Sequence, residues 1–183
     1  MPRANRFILP GYLYHVTHRC HDRKFLFDAA ADRTEYRSRL GEALKRYHVS
    51  LLAYAITSNH THQILTSQTP ANISRMMQAL EGKFAECYNA RKRRSGAFWE
   101  DRFHSTMIGD GAHLFRCMVY IDLNMVREYG SGPRGQAFGR VGVVWVPRAC
   151  RESKALSDHR PRPAEAIARP AGRGFRKHLH ERN

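Results

Sequence analysis

The chain has 183 residues, enough for one domain with a real core plus an appendage. Its net charge of +15 and pI near 10.3 point to a polyanionic partner, and nucleic acid fits that balance best. Four scattered cysteines without a Cys-x-x-Cys pair exclude a disulfide framework or zinc knuckle, and no apolar run approaches the ~18 residues of a membrane span.

The apolar stretch behind Arg3 and Arg6 is broken by Pro10 and Gly11 and does not read as a signal peptide, so a cytoplasmic location is expected. Tyr12 to His18 reads as a strand, followed by a polar, basic turn from Arg19 to Lys24. A helix can begin at Asp28 or Asp32 and run to about Tyr47, with Tyr36, Leu40, Leu44 and Tyr47 on one face. The run Val49 to Ile56, a Thr57-Ser58-Asn59 turn and the stretch through Gln63-Ile64-Leu65 predict two consecutive strands.

A second helix starts at Thr69-Pro70 and carries Ile73, Met76, Met77, Leu80, Phe84 and Cys87 at helical spacing, a core stripe. It exits through Arg91-Lys92-Arg93-Arg94 to Gly96, a cationic run that suits either a solvated face or phosphate contact. Phe98 to Ile108 reads as another strand, and Asp110 can cap a third helix reaching about Glu128. This order predicts an α+β fold, an antiparallel sheet with helices packed on it. Residues 129–183 hold five of the 8 prolines and seven of the 13 glycines, with one strand-like run, Val141 to Val146. They are expected to be a basic, poorly ordered tail, either disordered or a frameshifted remnant.

Two His-x-His pairs compete for a metal. His60-Thr61-His62 lies in a strand, where residues i and i+2 project from one face and can reach one ion; His178-Leu179-His180 lies among Gly, Arg and Lys without such a frame. On the third helix His113, Arg116, Tyr120, Asn124 and Arg127 fall within a sector of roughly 80°. Leu114, Met118, Ile121 and Met125 form a separate apolar sector. That polar stripe suits a nucleic-acid face, and an ordinary amphipathic helix shows the same period. His15, His18, Cys20 and His21 alternate between the two faces of a strand, so this cluster reads as structural and not as a zinc site.

Four motifs in order then carry a resemblance: Tyr14-His15-Val16-Thr17-x-Arg19, Asn59-His60-Thr61-His62, Trp99-Glu100-Asp101-Arg102-Phe103 and Tyr120-Ile121-Asp122-Leu123-Asn124-Met125-Val126-Arg127. Residues 1–128 resemble the IS200-like single-tyrosine transposases, especially the REP-associated tyrosine transposase branch. The resemblance implies a ferredoxin-like fold, His60 and His62 as ligands of Mg²⁺ or Mn²⁺, Asn124 completing the metal shell and Tyr120 as nucleophile. It further implies cleavage and rejoining of single-stranded or hairpin DNA through a 5′-phosphotyrosine, by a monomer or a homodimer. Three departures stand out: Thr61 between the histidines, Met125 in place of the usual proline, and no recognisable continuation after Arg127.

Arg19, Arg23, Arg102, Arg116 and Arg127 are the phosphate-contact candidates. Trp99, Phe103 and Tyr14 can serve as stacking platforms or as core. Two rival readings stay open: a transposase relative that grips hairpins without cutting, and a 2H-type phosphoesterase. The second rests on His15-Val16-Thr17 and His104-Ser105-Thr106, two His-x-Thr motifs.

Overall fold

The computed structural model describes residues 6–130, with side chains through Asn124. The elements are β1 (Leu13–Arg19), α1 (Ala30–Arg46), β2 (Ser50–Ile56), β3 (His60–Thr66), α2 (Pro70–Arg91), β4 (His104–Met107) and α3 (Gly111–Gly130). The strands form one antiparallel sheet in the order β2-β3-β1-β4. Both helical crossovers, α1 and α2, therefore skip one strand, the connectivity of the expected ferredoxin-like fold.

Period-2 alternation divides the sheet into two differently furnished faces. Tyr14, Val16, Cys20, Leu51, Tyr54 and Leu65 join Tyr36 and Leu40 of α1 and Met76, Met77 and Phe84 of α2 in the main core. An aromatic group fills its centre: Phe27 lies 5.3 Å from the rings of Tyr36, Phe84 and Phe98. The opposite face is narrower. Leu13, Ala53, Ala55 and Ile64 pack under Leu114, Cys117 and Ile121 of α3. The small alanines on β2 let α3 approach closely there, and α3 leaves the far ends of β1, β3 and β4 uncovered.

Asp110 caps α3 as its sequence predicts, accepting the amide of His113 at 2.6 Å. The strand expected over Phe98 to Ile108 shortens to β4 alone. Phe98 is drawn into the core beside Tyr88, with rings 4.8 Å apart, and Phe103 is buried as well, so the backbone between them leaves the sheet. One bridge, Cys20 with Trp99, marks where it touches β1. The cationic exit of α2 is largely committed internally. Arg91 and Lys92 reach the buried Asp32 at 2.5 and 3.2 Å, and Arg94 bonds the Asn89 side chain and the Ala97 carbonyl. The expected tail, with Val141 to Val146 and the His178, His180 pair, lies outside the described residues.

Candidate active site

The uncovered part of the α3-side face floors a cavity of about 990 Å³. Register explains its composition. Arg19 pairs with His60, Thr17 with His62 and with His104, and His15 with Thr106, so a patch rich in imidazole faces one space. The segment Glu100-Asp101-Arg102 forms one rim, and His113, Arg116 and Tyr120 of α3 form the other.

His60 starts β3 and is fixed by the turn before it. Its Nδ1 lies 2.6 Å from Asn59 Oδ1 and 2.8 Å from Thr57 Oγ1. The Asn59 oxygen only accepts, and the Thr57 hydroxyl proton goes to the His60 carbonyl at 2.9 Å. Nδ1 therefore carries the ring proton, and Nε2 carries the lone pair a cation needs. His62 is almost fully buried, its ring 4.7 Å from that of His60 at 84°. Burial, then the neighbouring His60, His15 and Arg19, push its pKa down to about 3, so it stays neutral at physiological pH.

α3 completes the wall. Tyr120 presents its ring edge-on to His62, with centroids 5.4 Å apart at 86°, and remains 44% exposed. One turn later the Asn124 amide nitrogen lies 3.3 Å from His62 Nε2. Among the described residues no group of three His, Cys, Asp or Glu side chains converges to hold an ion. The donor set that does come together is two imidazoles and an amide. This fits the divalent metal the resemblance implies, with the Asn124 carbonyl oxygen as third donor after rotation of its amide.

Of the arginines expected at phosphates, Arg19, Arg102 and Arg116 line the cavity. Arg23 does not line it; it sits in the His21–Arg23 turn and uses its carbonyl to accept from Asn59 Nδ2 at 3.2 Å. The Arg127 side chain lies outside the described residues. The three stacking candidates serve the core. Trp99 stacks on His18 at 4.2 Å and donates to the Glu81 carbonyl, Phe103 is covered by Arg6, and the Tyr14 hydroxyl accepts the Leu9 amide.

His18 also borders the cavity, and it contacts buried Glu81 at 2.5 Å and the Asp101 carbonyl at 2.6 Å. His15 corrects the reading of that cluster, because its ring enters the cavity and meets His62. Its signal in the sequence is the shared parity of His15, Thr17 and Arg19 along one strand. His104 and His113 also line the cavity.

The profile describing the family "Transposase IS200 like" matches residues 9–124. Among solved structures, a REP-associated tyrosine transposase bound to a REP hairpin is similar, with 17% identity and a TM-score of 0.59, covering 69% of this chain and 74% of that one. A protein of Deinococcus radiodurans described as a transposase is similar at 15% identity and a TM-score of 0.47, covering 67% of this chain and 95% of that one. A search of curated proteins finds no match. With a family pattern spanning both the histidine strand and the tyrosine helix, the chain belongs to the IS200-like transposases.

Proposed function

We propose that the protein cuts and rejoins single-stranded hairpin DNA with Tyr120 as the nucleophile and His60, His62 and Asn124 as the holders of Mg²⁺ or Mn²⁺. The observation that carries this reading is the convergence of Tyr120 and Asn124, one helical turn apart, on His62. His60, His62 and Asn124 would hold the ion, which would supply Lewis-acid polarisation of the scissile phosphate.

The side chains do the rest. The Tyr120 oxygen attacks phosphorus in line, its proton leaves to solvent, and the bond from phosphorus to the 3′-oxygen breaks. The 3′-oxygen takes up a proton and departs as a hydroxyl, leaving DNA joined to Tyr120 through its 5′-phosphate. Attack by another 3′-hydroxyl reverses the step, so joining needs no nucleotide triphosphate. Arg19, Arg102 and Arg116 surround the phosphate position and offset its charge. An open cavity on a sheet suits a strand that can be threaded and turned, and the hairpin in the similar solved structure supports a hairpin substrate here.

Incubation with end-labelled hairpin DNA and Mn²⁺, followed by a denaturing gel, tests this. Wild type should give a nicked strand and a protein-linked band, and Tyr120→Phe neither. Hairpin binding without either product would assign the chain to the non-cutting relatives.

One observation favours a second reading. The register sets His15 against Thr106 and Thr17 against His104, so two His-x-Thr motifs lie side by side at the cavity. A 2H-type phosphoesterase would use them without metal. Cleavage that survives EDTA and Tyr120→Phe but not His104→Ala would support it.

A further inference from the structure

We infer that His15 is a positioning residue that sets the tautomer of His62, an inference that rests on the reading of His62 as an ion ligand. His15 lies two residues before Thr17, the cross-strand partner of His62, so the two rings meet diagonally across β1 and β3. The rings lie end to end and near-coplanar, centroids 5.2 Å apart at 24°, with His15 Nε2 3.0 Å from His62 Nδ1. Two imidazole nitrogens in such a contact share one proton, and the other end of His62 decides which ring donates it. Its Nε2 faces the Asn124 amide nitrogen at 3.3 Å. In this metal-free arrangement the amide nitrogen faces the ring and only donates, so Nε2 is the acceptor and Nδ1 carries the proton.

The chain of bonds then runs from the Asn124 amide to His62 Nε2, and from His62 Nδ1–H to His15 Nε2. It leaves the His62 lone pair on Nε2, beside Asn124, where a cation can use it. His60 reaches the same tautomer by a different device, the Asn59 and Thr57 oxygens of its own turn. His62 sits inside a strand and has no turn to rely on; the neighbouring strand supplies the acceptor. Without it, the buried Nδ1 has no acceptor and the proton moves to Nε2, which closes the ligand position.

The test uses the full-length protein. Long-range ¹H–¹⁵N correlation on ¹⁵N-histidine protein without metal reads the tautomer of each ring, and Mn²⁺ titration by calorimetry reads affinity. The variants are His15→Ala, His15→Phe, which keeps an aromatic volume, and His15→Gln, whose amide oxygen can accept. Wild type and His15→Gln should hold His62 as the Nδ1–H form. Ala and Phe should shift it toward Nε2–H and weaken Mn²⁺ binding by about tenfold or more, the usual cost of losing such a partner.

An unchanged His62 tautomer in folded His15→Ala and His15→Phe would overturn the inference. So would an unchanged Mn²⁺ affinity, and reduced cleavage at that unchanged affinity would make His15 a base acting on Tyr120. A wild type that binds no Mn²⁺ would instead remove the ion from the site. The tautomer of the metal-free protein would still decide whether His15 sets the ring.

Discussion

Arg19 stands directly opposite His60 across the β1–β3 ladder, while Thr17 occupies the same position against His62. The pairing brings a guanidinium, two imidazoles and a hydroxyl onto one patch of sheet face. The two imidazoles and Arg19 in the proposed reaction therefore sit on a rigid ladder, while Tyr120, Asn124 and Arg116 arrive from α3. A site built on strands in this way holds its ligands in place before substrate binds.

His60→Ala and His62→Ala should each weaken Mn²⁺ binding and strand cleavage together, while His178→Ala and His180→Ala should change neither. Calorimetry and a cleavage assay on the same preparations check this. An essential tail pair would place the ion at His178 and His180 instead.

Asp110→Ala removes the cap at the start of α3, whose side chain accepts the His113 amide at 2.6 Å. The loss of stability should be about 1 kcal/mol. Because α3 also carries Tyr120 and Asn124, cleavage should fall more than hairpin binding does. Chemical denaturation and a binding isotherm separate the two effects, and Asp110→Asn, which keeps an acceptor, should restore most of both.

Much of this arrangement is legible in the chain because it follows local periods. Two residues along a strand share a face, which exposes His60 and His62 as a pair; four residues along a helix share one, which aligns Tyr120 with Asn124. What depends on partners distant in sequence is not legible. The role of His15 requires knowing that β1 lies beside β3 in the register that pairs Thr17 with His62. The segment from Phe98 to Phe103 shows why a period can mislead. Its aromatic content looks like a strand, yet Phe98 and Phe103 are buried and Trp99 packs against that core, so tertiary burial overrides the local pattern. Arg23 lies outside the cavity lining for a related reason: it belongs to a turn whose carbonyl accepts from Asn59, a partner distant in sequence.

Glu81 offers a test of the core behind the site. Burial raises its carboxyl above the ordinary range, with His18 and Arg6 pulling in the opposite direction. A raised carboxyl pKa means the folded state keeps its proton to higher pH than the unfolded state does. Stability should therefore decline as pH rises from the ordinary glutamate value near 4.5 through the raised folded value. Denaturation of wild type and Glu81→Gln across that range checks the sign: the decline should be smaller in the glutamine variant. An equal decline in both would place the titrating group elsewhere.

The proposed reaction turns on the identity of the nucleophile, which peptide mapping of the trapped adduct reveals. Wild-type protein is reacted with hairpin DNA and Mn²⁺, the covalent product is isolated under denaturing conditions, and both components are digested for mass spectrometry. The expected result is a 5′-phosphonucleotide on the peptide containing Tyr120, attached through its phenolic oxygen, and no adduct from Tyr120→Phe. A nucleotide attached to any other residue, or metal-dependent cleavage that leaves no protein-linked strand at all, would contradict it.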